Sequence, residues 1–375
     1  MSIKKIFKKY ILPVATLSGG IVGVGIFSLP YIALKSGVWP MIGYFLLMTF
    51  LVVVIHLIFA EISLKTPDYK RFPGFVKHHL GKTAGAIAML ATVIGSFAVL
   101  LAYLVVGSGF LAAILSIYFD VSYFACILLY FFAAGMAVWM GIKAVSKFEL
   151  AALVLLVLSL VAIFISGFSK MSFSNISPLA ESFSFGNFFL PYGAILFALW
   201  GAGMIPEVEE MVSENKKSVK KIVVISTLIP AVIYIFFTFM VLAITGKNTT
   251  ESALVGLKDF LGDGVYITAL FAGVAATFTA FISQALTLKK VFMYDLKIKH
   301  GQAFVMTCFT PLVFLLSGIN SFILIVSFTG GVLLGINGIL ILMMYKKIGG
   351  KKIVTYPLSA IFILGVLYEI IYFIN

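Results

Sequence analysis

Lysine and arginine return at every second gap between long apolar runs, and that alternation leaves few folds open. Eleven apolar runs can be counted, at about 10–34, 38–64, 83–116, 121–141, 147–167, 187–212, 220–245, 264–289, 302–317, 320–345 and 354–373, each long enough to cross a bilayer except the short ninth. Place the N-terminus in the cytoplasm, and 23 of the 27 basic residues fall in the segments on that side; Lys35, Lys170, Lys247 and Lys258 fall on the other. Adding or removing one run would scramble the pattern. It therefore reads as a positive-inside bias, with the N-terminus cytoplasmic and the C-terminus at Asn375 external. Only 11% of residues are charged, where a soluble domain carries about 25%. Mean hydropathy is +1.15. The expected fold class is all-α, a polytopic membrane protein of eleven transmembrane helices in the cytoplasmic membrane, with one domain over 1–375 and no separate soluble part. The net charge of +13 follows the topology, so its natural partner is anionic membrane lipid and not nucleic acid.

Within that frame two runs are interrupted. Leu17 to Pro30 holds Gly19, Gly20, Gly23 and Gly25 near the middle of the first run. Each glycine costs roughly 1 kcal/mol in a helix interior relative to alanine. A helix that only had to span would not carry four so close together. Close to half the chain later, Phe197-Ala198-Leu199-Trp200-Gly201-Ala202-Gly203-Met204-Ile205-Pro206-Glu207 repeats the arrangement, with Gly-x-Gly in mid-run and Pro soon after. Two readings stand. Small residues let membrane helices pack closely. Alternatively the helices break, and their bared backbone groups hold a ligand near the bilayer midplane; paired interruptions at matching points of two halves favour this. On the second reading, valine at Gly23 or Gly201 should block a ligand while sparing the fold, because glycine admits positive φ and close approach to the main chain.

Ionisable groups inside the runs are functional candidates by default. His56, in the second run, could relay protons or be a neutral imidazole bonded to a helix carbonyl. Glu61 stands four residues before Lys65, the spacing of a helix ion pair. Glu207, Glu209 and Glu210 follow the second interruption, and Glu207 is the carboxylate nearest to it. It could bind a proton, or serve the start of a new helix segment, where the dipole is positive. Tyr103, in the third run, could reach a carboxylate or bond its own backbone. Thr277, Thr279 and Ser283 offer hydroxyls in the eighth run, which could join a sodium ion or back-bond to the preceding turn. The two cysteines, Cys126 and Cys308, sit in apolar runs and suit packing. There is no His-Glu-x-x-His, no P-loop and no cysteine pair at ligand spacing, so neither an enzyme nor a metal or other cofactor is expected.

Gly19 to Tyr31 resembles the first span of amino acid permeases, most of all the tryptophan/tyrosine permease family of the amino acid–polyamine–organocation superfamily. Leu196 to Glu207 resembles its sixth span. Glu209-Glu210 followed by Asn215 to Ile222, and Gly141 to Ser146, are similar to its linking loops. The resemblance implies a five-plus-five inverted repeat, about 10–167 and 187–345, with helices one and six broken and an extra helix at about 354–373. It implies a substrate carboxylate bound near Gly19, Gly20 and Gly23, with Gly25 beside them. The ammonium would face carbonyls near Phe197, Ala198 and Trp200, with Gly201 and Gly203 in the second break. The expected function is secondary active transport of neutral or aromatic amino acids by alternating access. A proton is the expected coupling ion, through His56 or Glu207, with sodium at Thr277, Thr279 and Ser283 as competitor. A carrier of polyamines or other organic amines is the rival and would want carboxylates in the pocket. Two departures matter. The fifth run has no charge after Glu149, so none of its later residues is a lysine that could replace a coupling sodium, and the first lacks the Asp-Pro-Gly of metal-carrying relatives.

Overall fold

A computed structural model describes residues 7–67, 70–141, 145–176, 184–212 and 218–374. Lys4, Lys5, Lys143, Asn215, Lys216, Lys217 and Asn375 lie outside them, as do the side chains of Lys8, Lys147 and Glu149. The described chain is helical throughout, in the order α1 Leu12–Ile21, α2 Leu29–Ser36, α3 Val38–Lys65, α4 Phe72–Leu80, α5 Lys82–Leu115, α6 Tyr123–Met140, α7 Val145–Gly167, α8 Phe185–Leu199, α9 Ile205–Met211, α10 Val219–Thr245, α11 Asp263–Lys290, α12 His300–Leu316, α13 Phe322–Phe328, α14 Gly335–Lys347 and α15 Lys352–Ile374. Among the described residues nine helices are long and apolar enough to cross a membrane, and the bent pair around Gly23 makes a tenth. The ninth run forms α12, a shorter apolar helix. Large apolar side chains such as Leu46, Leu90, Phe132, Leu158 and Leu364 stay exposed on the outer faces, where lipid would cover them. The protein is a multi-pass membrane protein.

The breaks follow from local chemistry. In each, glycine ends one helix and proline helps start the next. α1 ends at Ile21; Val22 and Gly23 leave the helix, a tight 3₁₀ turn covers Val24–Ser28, and Pro30 stands in the first turn of α2. The two halves bend by 48°. α8 ends at Leu199; Trp200 and Gly201 are non-helical, a 3₁₀ turn covers Ala202–Met204, and Pro206 stands in the first turn of α9. Proline has no N–H to lose there and its fixed φ suits a first turn. Gly37 at φ 84° and Gly81 at φ 91° make the sharp turns into α3 and α5.

Three elements set the site. α10 packs along both α1 and α2 and also against α3. α3 lies against α8 and α9. The tenth run forms one span, Phe322–Lys347, with a wide π-helical turn at Thr329–Leu334 that packs on α8. The helix α4 follows α3, and its Phe75 packs edge-on against Phe59 at 5.3 Å. Between Glu251 and Leu261 a 3₁₀ turn covers Leu254–Leu257, with both of those leucines buried.

Candidate substrate site at two helix breaks

Two helix C-termini, of α1 and α8, and two helix N-terminal turns, leading into α2 and α9, converge at the breaks. Carbonyl ends carry partial negative charge and amide ends partial positive charge. A ligand with both signs, such as a zwitterion, suits such a junction.

Contacts across the junction are made by backbone and small residues. A Cβ on Gly25 would lie 2.9 Å from both the Cα and Cβ of Ala198 and 3.0 Å from the Phe197 ring, so the two breaks touch. A Cβ on Gly23 would lie 3.1 Å from the Tyr103 hydroxyl, which brings the third run to the site. Gly20 faces the Met204 side chain at 3.1 Å, and Gly19 faces Leu153 of α7 at 3.3 Å. At Gly201 the space is taken: a Cβ there would meet Ile21 at 2.5 Å. Gly203 has nothing within 4 Å. Gly23 has φ −135° and Gly201 φ −132°, so neither needs the left-handed region. Close approach, not backbone hand, is what calls for glycine at these positions. Valine at Gly201 would strike the packing first, which removes that substitution as a clean probe of ligand contact.

His56 is fully buried, and both ring nitrogens are engaged. The Gly201 N–H donates to Nε2 at 3.1 Å. Nδ1 lies 3.0 Å from the Thr227 hydroxyl, which itself donates to the Val223 carbonyl at 2.9 Å. A hydroxyl has one proton. With that proton given to Val223, Nδ1–H must donate to Thr227, and Nε2 is left as acceptor. The partners select one neutral tautomer. The imidazole thus closes the backbone gap at the second break and binds no helix carbonyl. Its ring also meets Trp200 edge-on, 5.9 Å between centroids.

Tyr234, of α10, is the residue the sequence did not single out. It is fully buried. Its hydroxyl donates to the Ile21 carbonyl at 2.9 Å and leans on the Ala198 carbonyl at 3.2 Å. Those are orphan carbonyls at the ends of α1 and α8. One side chain from a third helix therefore ties both breaks. Ala198, expected to receive an ammonium, has its carbonyl partly engaged in this way.

The remaining candidates are dispersed. Thr277 donates to the Gly273 carbonyl at 2.8 Å and Thr279 to that of Ala275 at 3.0 Å, each within α11. Ser283 lies half-buried one turn further on. Glu207 is exposed, whereas Glu209 is buried and accepts a short hydrogen bond from the Ser63 hydroxyl. Glu61 pairs with Lys65 and with Lys220 of α10, both at 2.9 Å. Arg71 and Asp295 approach to 3.6 Å. These ties gather at the lysine-rich end. Among the described residues no group of three or more His, Cys, Asp or Glu could hold a metal ion.

Access to the junction is one-sided. Every residue from Val24 to Pro30 and from Leu190 to Leu196 is buried. Gly20, Gly203 and Glu207, on the lysine-rich side of the breaks, are exposed. Two hollows, about 550 Å³ beside Gly301 and Gln302 and about 350 Å³ beside Asn175 and Lys247, include no residue of either break.

Solved structures share this fold. The Eremococcus coleocola manganese transporter, in complex with an aromatic bis-isothiourea compound, superposes with TM-score 0.69 at 13% identity, over 99% of this chain and 87% of that one. Mhp1, a nucleobase-cation-symport-1 family transporter with bound bromovinylhydantoin, gives 0.64 at 13% identity, over 88% and 76%. MhsT in complex with L-phenylalanine gives 0.58 at 15% identity, over 96% and 97%. No curated protein sequence matches the chain. The tryptophan/tyrosine permease family model matches residues 7–360, nearly the whole chain, and with two glycine–proline breaks meeting at one buried junction, the protein belongs to that family.

Proposed function

We propose that the protein is a secondary active transporter of neutral or aromatic amino acids, working by alternating access and driven by protons. The observation that carries this reading is the meeting of two broken helices at Gly25 and Ala198, lined by neutral groups. The substrate carboxylate binds amides around Gly23 and Gly25, at the amide end that leads into α2; Gly19 and Gly20, expected to join them, lie in the last turn of α1, where their amides serve the helix. The substrate ammonium faces the carbonyl ends near Phe197 and Trp200. Trp200 and Tyr103 offer aromatic walls. MhsT, crystallised with L-phenylalanine, supports an aromatic substrate for this scaffold. The manganese transporter shares the scaffold, but without a carboxylate–histidine cluster this junction does not suit a divalent ion.

The lysine-rich end is cytoplasmic in this reading, within the cytoplasmic membrane, and anionic lipid lies against it. The conformation is then open to the inside, since the buried half of each break faces outward. Eleven spans form a single domain, the first ten as two inverted five-helix repeats. Sodium coupling is less favoured because Thr277 and Thr279 spend their protons on their own helix and leave no oxygen cage. Purified protein in liposomes, preloaded with each protein amino acid in turn, tests the proposal by counterflow. Exchange of labelled tryptophan, tyrosine or phenylalanine is expected. Exchange of polyamines but of no amino acid would overturn it.

A further inference from the structure

Glu369 is a carboxyl group in a place where membrane proteins seldom keep one. It stands in the last span, α15, and is 2% exposed. Its side chain fills a slot left by two glycines. A Cβ on Gly193 of α8 would lie 2.7 Å from Glu369 Oε1 and 2.5 Å from the Ser327 carbonyl. A Cβ on Gly331, in the wide turn Thr329–Leu334, would collide with the Glu369 side chain. Gly365, one turn earlier on α15, receives the Tyr192 ring in the same way. The carboxyl is therefore inserted between α8 and the π turn. Its Oε1 has no hydrogen-bond partner, and neither do the Tyr192 and Ser327 hydroxyls, one contributed by α8 and the other by α13.

Among the described residues no cation is supplied to this slot. The titratable groups that face Glu369 are Tyr192 of α8 and Tyr368 of its own helix. α13 and the π turn carry none. On α14 they are Tyr345, Lys346 and Lys347, at the lysine-rich end, where Lys346 sits over the Tyr356 ring. Thirteen residues of helix separate Tyr356 from Glu369, about 20 Å. A bare carboxylate buried without a counter-charge is far costlier than the neutral acid. The group can be ionised only when the slot opens to water.

The slot also touches the substrate junction. Phe197, one turn beyond Gly193 on α8, is the residue whose ring meets Gly25. A Cβ on Gly330 of the π turn would lie 2.9 Å from the Phe197 amide nitrogen. π turns collect at functional sites and let a helix change its packing without breaking. A shift of α8 at the break therefore opens or closes the slot behind it.

We propose that Glu369 is the proton-binding carboxyl of the transport cycle. One O–H bond forms on the carboxylate when the slot is open to one side of the membrane, and it breaks when the slot opens to the other. One positive charge moves with each zwitterion. The closed slot of the substrate-loaded carrier holds only the neutral acid, so α8 cannot complete the loaded movement until the proton is aboard; the empty carrier returns deprotonated, with the slot left open to water around the bare carboxylate. This rests on the reading of the protein as a proton-driven carrier.

The test uses the full chain in liposomes with labelled L-tyrosine and a lumenal pH dye. Wild type should accumulate L-tyrosine under an inward proton gradient and acidify the lumen. Glu369→Gln, which mimics the neutral acid, should lose both while exchanging internal for external L-tyrosine at the wild-type rate. Gradient-driven uptake that persists in Glu369→Gln would overturn the proposal. Loss of exchange together with uptake would also overturn it, since that marks a merely structural acid. If Glu369→Gln fails to fold, Glu369→Asp decides: the pH of half-maximal uptake should move, and a profile coincident with wild type refutes the role. A wild type that exchanges L-tyrosine but ignores the gradient removes the proton-driven reading itself, and this proposal with it.

Discussion

Tyr234→Phe removes one O–H and leaves two buried carbonyls, of Ile21 and Ala198, without their donor. Such a loss costs about 1–3 kcal/mol. We expect a lower melting temperature and weaker substrate-induced stabilisation, read by thermal unfolding of purified protein with and without L-tyrosine. Unchanged values in both would mean that the hydroxyl is not a tie. The glycines separate by their neighbours. Gly25→Ala must push the Ala198 backbone, which cannot rotate away, and overpacking of this kind costs about 1–3 kcal/mol. Gly203→Ala meets open space and should melt as wild type does. Equal melting of the two variants would contradict this placement. The glycine–proline pairs were legible in the sequence because each residue acts on its own stretch of backbone. Tyr234 was not. It is one of 16 tyrosines, and its partner Ile21 lies 213 positions away. Glu369 was open to the rule that intramembrane acids matter. The glycine slot around it needs three helices brought together, and no local pattern announces that.

At the scale of elements, the breaks could be read because a stop and a start signal stand side by side. The π turn at Thr329–Leu334 could not, since its composition also fits an ordinary helix with two glycines. Residues 72–80 form α4, and its docking uses a side chain just past the end of α3. His79 Nε2 donates to the Thr66 hydroxyl at 2.8 Å, and Thr66 donates to the Ile62 carbonyl. Burial, and then the neighbouring His78, hold His79 below the usual histidine range. The docked helix therefore prefers the neutral ring. That contribution is full above the unfolded value of about 6.5 and is lost as pH falls through the lower, docked value. Amide exchange across 72–80 should quicken on acidification from neutral pH in wild type. In His79→Gln it should be pH-independent once intrinsic exchange is corrected. The same response in both would show that another group controls the docking.

For the whole molecule, the eleven-span reading proposed above puts the termini on opposite sides, with the N-terminus inside by the lysine bias. Reporter fusions at both ends should read cytoplasmic and external in turn. Both on one side would refute eleven spans, and α12, the shortest candidate, would be the first to leave the count. The Tyr234 hydroxyl has a consequence at this scale. It owns a single proton and two claimants, the nearer at 2.9 Å on α1 and the farther at 3.2 Å on α8. If α1 swings out, the proton passes wholly to Ala198; if α8 withdraws, it stays with Ile21. One shared proton thus makes the departures unequal in cost: either half-helix alone keeps the hydroxyl bonded, and only both together strand it.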